Sequence, residues 1–233
     1  MRAAVVVLVL FGEASARARG RNRTLARWKL GRWAEEHAPP SEYERLQASK
    51  LEEERSMIEK IDALRVEPEL TRRFATRLAD VIASPVLCVG ARLGGEVRAM
   101  MRVRPGLLAI GVDFAPGPRN PLVVWGDAHA LRFNNGSFAT VYSNILDHIL
   151  DHEAFLSEAA RVLAPNGTLI LDVDQNAPDR WAVHDLREQL GAIEASARRR
   201  FGEPLRRMTI DDEKDRGKIC LVWHLARAQL RKA

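Results

Sequence analysis

Residues 86–97 read VLCVGARLGGEV. Strand-forming residues run from Val86 to Val89, Gly90 stops them, Arg92 stands two places on, and Gly94 and Gly95 lead into a helical pattern. A glycine at 90 permits a tight turn out of a strand, and glycines at 94 and 95 let the next helix bring its free amide groups close to a ligand. The stretch therefore reads as the ligand end of a βα unit. A dinucleotide fingerprint needs G-x-G-x-x-G, with glycine where the backbone meets the pyrophosphate. Arg92 holds that middle place, which disfavours a phosphate-bridged cofactor.

On either side of the turn, short β-rich runs alternate with helical ones: VLCVG, LLAIGVD, PLVVWGD, FATVYSN and TLILDVD, separated by GGEVRAMMRV, DHEAFLSEAARVLAPNG and a helix expected over Pro178 to Leu190. Alternation of this kind predicts an α/β fold, a doubly wound, mostly parallel sheet with helices on both faces. LRRMTI and KICLVWHLA, joined by the short charged linker DDEKDRG, suit a C-terminal antiparallel hairpin and bring the sheet to seven strands. Ligands in such sheets bind at the carboxyl ends of the strands. The residues that follow the strands are Gly90 to Gly95, Asp113, Asp127, Ser143 with Asn144 and Asp147, and Asp174. Polar groups thus gather on one rim. Asp113, 23 positions after Gly90, is suited to take both hydroxyls of a ribose.

A cofactor with a ribose and no pyrophosphate satisfies both observations, and here the sequence resembles the class I S-adenosylmethionine-dependent methyltransferases. The resemblance covers about residues 66–228 and rests on VLCVGARLGG, GVDF, GDAHALRF, FATVYSNILDHI and EAARVLAPNGTLIL. It implies a Rossmann-like methyltransferase fold and S-adenosyl-L-methionine as cofactor. It also implies that Gly90, Ala91 and Gly94 line the methionine part of the cofactor, that Asp113 holds the ribose, that Asp127 and Ala128 meet the adenine, and that Ser143 and Asn144 lie beneath the methyl group. Two positions depart from the family pattern. Cys88 stands where an acidic residue is usual, and Arg92 replaces the middle glycine. A thiol offers no carboxylate to the cofactor's ammonium, so Glu96 or Asp147 is expected to compensate.

Methyl transfer needs donor and acceptor held in line, with a base chiefly for an oxygen acceptor. His148, beside Asp147 and followed by Asp151 and His152, is the candidate base: imidazole titrates near neutrality, and a carboxylate neighbour can raise its basicity and fix its tautomer. Packing or capping of a helix is the alternative role. His148 and His152 have the i, i+4 spacing of a metal pair but no adjacent third ligand, so no metal site is expected. Asp172-Val173-Asp174 has the D-x-D form of some metal-binding sites, yet only one of its carboxylates is expected at the rim. Trp125, Trp181 and Trp223 are widely separated and read as core or pocket wall.

Charge points away from nucleic acid. The 233 residues carry a formal net charge of +5, but residues 1–33 hold eight basic side chains against Glu13 alone. Their surplus of seven leaves the remainder two units negative, which gives no electrostatic footprint for a phosphate backbone. The start, MRAAVVVLVLFGEASARARG, has Arg2, an apolar run from Ala3 to Phe11 and the small-x-small triplet Ala14-Ser15-Ala16. That is the pattern of a cleaved secretory signal over residues 1–16, too short to span a bilayer. A secretory or extracellular location follows, with a buried N-terminal strand, an organelle or the cytoplasm as alternatives. Residues 17–65 read as a basic and helical extension and 66–233 as the methyltransferase-like domain. Within the extension, Ser41 and Glu44 form a capping box before a helix whose Leu46, Leu51, Met57, Ile58, Ile61 and Leu64 recur at helical period. The sequons at Asn22, Asn135 and Asn166 could accept glycans, and the last two read equally as Asn-Gly turns. Cys88 and Cys220, the two cysteines, read as small buried hydrophobes. The expected function is methyl transfer to a small-molecule acceptor. A catalytically silent S-adenosylmethionine-binding module is the alternative that Cys88 and Arg92 favour.

Overall fold

The computed structural model describes residues 42–61, 66–117, 119–210 and 217–226. The apolar leader, its Ala14-Ser15-Ala16 triplet, the sequon at Asn22, Ser41 and Leu64 lie outside the described residues. No helix among the described residues is long and apolar enough to cross a membrane.

Seven strands form one sheet: β1 Val86–Val89, β2 Ala109–Asp113, β3 Val123–Trp125, β4 Phe138–Ser143, β5 Leu163–Asp174, β6 Arg206–Ile210 and β7 Lys218–His224. Their order is β3-β2-β1-β4-β5-β7-β6. The first five are parallel, β7 runs antiparallel to β5, and β6 antiparallel to β7. Central parallel strands are covered on both faces and so read as unbroken apolar runs; all four residues of β1 are buried. The strand order reverses between β2-β1 and β1-β4, which opens a crevice at the carboxyl end of β1.

Side chains that alternate along the strands divide into two cores. Leu87, Val89, Val141, Leu169, Leu171, Leu221 and Trp223 pack with α4, His152–Val162, and α5, Leu186–Phe201. Cys88, Tyr142, Ile170, Cys220 and Val222 face the other way, onto α2, Glu67–Arg73, with its π-helical continuation Phe74–Leu78, and α3, Gly95–Val103. On this second face the Asp172 carboxylate meets the Arg73 guanidinium, both almost wholly buried, and accepts the Tyr142 hydroxyl at 2.6 Å. The D-x-D pair is thereby separated, because Asp174 at the strand end faces Asn176 and Lys218 instead. Among the described residues no group of three or more metal-binding side chains converges. Both cysteines are buried and free, as expected.

Three local expectations change. The helix expected over Pro178 to Leu190 begins only at Leu186. Asp179 and Asp185 each accept a main-chain N–H two residues on, and Val183 and His184 donate theirs to the Asp147 carbonyl, so the preceding residues form a loop fastened to the site. Asn135-Gly136 is a turn, but Asn166, at φ 64°, lies within the span of β5, its N–H bonded to Leu225. Helix α1, Glu42–Ile61, attaches through a polar face, while Leu46, Met57 and Ile61 are exposed.

Candidate functional site

Beyond β1 the chain turns at Gly90, whose φ of 82° favours glycine and whose N–H donates to the Val112 carbonyl at 2.8 Å. A side chain there would drive into Ile145, 2.6 Å from the position of its Cβ. Gly94 is likewise left-handed and caps α3. Arg92 keeps a left-handed conformation at φ 35° despite its side chain, so the loop retains the shape glycine would give it. Its Nε is buried with no hydrogen-bond partner among the described residues.

Asp113 ends β2 beside this loop. One of its carboxylate oxygens accepts the Arg92 N–H at 3.0 Å and the other accepts the Ala115 N–H at 2.8 Å. A carboxylate oxygen accepts more than one hydrogen bond. Both oxygens are therefore aimed by the backbone and can accept more. Tyr43, Gln47, Gly90, Arg92, Asp113, Phe114, Gly126, Ala128, Ile145, His148 and Ile149 line the cleft in front of it. Of the expected cofactor residues, the cleft wall unites Gly90, Asp113 and Ala128. Ala91 is buried behind the loop, and Ser143 is buried at the end of β4 with no partner for its Oγ among the described residues. Asp127 pairs with His129 Nδ1 at 2.7 Å, which draws its carboxyl below the usual range against the opposing effect of burial. The side chain of Asn144 donates from Nδ2 to Glu96 Oε1 at 3.2 Å.

His148 lies on the short 3₁₀ turn Leu146–His148 and lines the same cleft. Its Nδ1 is 3.2 Å from the Trp181 carbonyl, an acceptor only, so Nδ1 carries the proton and Nε2 the lone pair. Asp147 does not fix this tautomer, as the sequence led one to expect, because its carboxylate sits at Nε2, 3.4 Å away. Nor is the imidazole made more basic. Burial outweighs Asp147, and the nearby Lys50 ammonium, 3.5 Å from Nε2, acts with burial to hold the pKa below the ordinary 6.5. The Asp147 carboxyl is pushed up, chiefly by its own burial.

The roof is little announced by the residue pattern. From α1, Tyr43 donates to the His148 carbonyl at 2.7 Å, Gln47 Nε2 donates to the Trp181 carbonyl at 2.9 Å, and Lys50 pairs with Asp179. These residues sit at i, i+4 and i+7, one helical face. The signal was present as a polar stripe, hidden by the more obvious apolar one. The Tyr43 ring also stands edge-on to Phe114 and His129.

A family model described as a methyltransferase domain matches residues 87–171, from β1 into β5. That stretch matches a methyltransferase domain, and the sheet has the Rossmann-like fold of the class I methyltransferases. The cofactor of that class is S-adenosylmethionine. The domain is similar to Burkholderia thailandensis 1,6-didemethyltoxoflavin-N1-methyltransferase, solved with 1,6-didemethyltoxoflavin and S-adenosylhomocysteine bound, at a TM-score of 0.60, 15% identity, and 82% and 93% of the two chains. It is also similar to a chain in the complex of the Haloferax volcanii Trm112 methyltransferase activator with a methyltransferase, at 0.58, 16%, and 78% and 98%. A Thermotoga maritima S-adenosylmethionine-dependent methyltransferase gives 0.54, 15%, and 75% and 98%. At these identities the likeness is one of fold. Curated protein sequences give no match. The cleft presents an acceptor carboxylate in Asp113, apolar walls in Phe114, Ala128 and Ile149, and a bare turn at Gly90.

Proposed function

We propose that this domain transfers a methyl group from S-adenosylmethionine to a small-molecule acceptor, with His148 as the base. The observation that carries the reading is Asp113, its two oxygens each fixed by one main-chain N–H and facing the cleft between Gly90 and Phe114. In this reading Asp113 holds the ribose, Phe114 and Ala128 flank the adenine with Asp127 at its edge, and Gly90, Ala91, Gly94, Ser143 and Asn144 surround the methionine end. When bound, the cofactor supplies a methyl group already activated by its sulfonium, so the protein's work is mainly to align the acceptor. His148 Nε2 takes the acceptor's proton, Trp181 holding the ring through Nδ1. Asp147 lies close enough to Nε2 to stabilise the charge that develops there.

Two features support a small acceptor. Tyr43 and Gln47 line the cleft from α1 and narrow it, which suits a small acceptor, and the Burkholderia relative in fold holds a small molecule. Cys88 and Arg92 favour the second reading, a silent binder on the same fold. Calorimetry with S-adenosylhomocysteine tests cofactor binding, and a tritiated-methyl assay over a panel of small acceptors then separates enzyme from binder. Absence of binding overturns both readings; binding without transfer to any acceptor leaves the silent one.

A further inference from the structure

The cleft is almost filled by the protein itself. Its free volume is about 30 Å³, room for a few waters, whereas clefts that bury small ligands run to about 300–1,000 Å³. Tyr43, in the first turn of α1, takes up much of the difference. Its ring lies 5.7 Å from Phe114, nearly perpendicular at 82°, and 5.7 Å from His129 at 69°. Phe114 stands 6.5 Å from Trp125 in turn, so the tyrosine extends a row of rings along the rim. Burial raises the phenol's pKa, Asp127 adds to the rise, and Asp113 adds a smaller push. The ring is therefore within electrostatic reach of both rim carboxylates.

Phe114, Asp127 and Asp113 are the groups that the proposed function gives to the adenosine of the cofactor. A phenol and a purine make the same demand on such a place, since each is a flat ring with polar edges that packs against other rings. One space cannot hold both. The hold on α1 is also light. None of its described side chains belongs to either apolar core, and Leu46, Met57 and Ile61 are exposed. It is fastened by the Tyr43 and Gln47 hydrogen bonds to the His148 and Trp181 carbonyls and by the ion pairs Lys50–Asp179 and Glu53–Arg180. Each such contact contributes little net, so the first turn can leave without opening a core.

We infer that Tyr43 is a built-in competitor of the nucleoside: its ring occupies the adenine's place, and the first turn of α1 gives way as the cofactor enters. The inference rests on the proposed function and adds a control to it. Apparent affinity is lowered by the fraction of molecules in which the ring has withdrawn, and Tyr43 sets that fraction.

The test is calorimetry on the full chain with S-adenosylhomocysteine and with adenosine, which share the adenine and ribose. Tyr43→Ala removes both the ring and its bond and should tighten binding of each probe by about tenfold or more. Tyr43→Phe removes only the bond and should tighten both by about two- to tenfold, the worth of one neutral hydrogen bond. A tyrosine that served as a wall for the adenine would give the opposite sign. Unchanged or weaker binding of both probes by Tyr43→Ala overturns the inference while the function stands. Hydrogen exchange supplies a second readout on the unaltered chain. Saturating S-adenosylhomocysteine should quicken exchange at Leu46 and Gln47, whose helical amide bonds reach back to the first turn; added protection there overturns the inference. If the unaltered chain and both variants bind neither probe, the function and this inference fall together.

Discussion

Tyr43 and His148, 105 positions apart in the chain, are joined by a hydrogen bond of 2.7 Å from the phenol to the main-chain carbonyl. Burial, aided by the charge of Asp127, raises the phenol's pKa, so the donor keeps its proton. The bond ties α1 to the turn that carries the candidate base. Tyr43→Phe preserves the ring against Phe114 and His129 and removes only the hydroxyl. It should weaken the seating of α1 by about 0.5–1.5 kcal/mol. Hydrogen exchange should then quicken along Glu42–Ile61 and leave β1 unchanged; equal protection in the variant would show that the bond contributes nothing.

The His148 environment predicts a pH profile. The neutral imidazole is the active form, and burial with Lys50 depresses its pKa, so the acid limb of kcat/KM should have its midpoint below 6.5. Lys50→Met removes a cation that opposes protonation and leaves Asp179 unpaired, and both changes move that limb to higher pH. His148→Ala should abolish turnover while cofactor binding persists. Full activity in that variant would return His148 to a structural role. Stability follows the same sign. The unfolded ring gains its proton near 6.5 and the folded one does not, so acidification through that value weakens the fold; His152, also depressed by burial, adds to the loss.

Asp113→Ala should cost about 1–3 kcal/mol in cofactor affinity, the expected effect of deleting a charged acceptor. Isothermal calorimetry with S-adenosylhomocysteine measures it. Unchanged affinity would refute the ribose assignment.

Away from the cleft, the Arg73–Asp172 pair is the fold's most exposed electrostatic risk, because both side chains are inside. Arg73→Met strands the Asp172 charge and should destabilise by about 3–5 kcal/mol, read from urea unfolding. Tyr142→Phe removes one donor to Asp172 and should cost less, about 1–3 kcal/mol. A smaller effect of Arg73→Met than of Tyr142→Phe would mean that water reaches Asp172.

The sheet was legible because β1, β2, β3 and β5 are apolar runs ended by Gly or Asp, and the rim residues because they follow the strands directly. Asp113 could be placed for that reason. The loop over residues 178–185 was misread because Asp179 and Asp185 look like helix starts and only the second is one; the Asp147 carbonyl that captures Val183 and His184 is distant in sequence. Likewise, the tautomer of His148 depends on the Trp181 carbonyl, a main-chain group that no side-chain pattern announces. The roof is not legible in the sequence because Leu46 and Met57, the apolar residues that would mark a packed face of α1, are exposed.

The sealing of Cys88 and Cys220 inside the sheet has a practical corollary. Thiol reagents attack the thiolate, and neither residue can form one while the strands are intact, since burial lifts both pKa values far above neutrality. A maleimide should therefore leave the native chain unlabelled and mark it at both positions once the strands part, giving the protein an intrinsic gauge of its own opening.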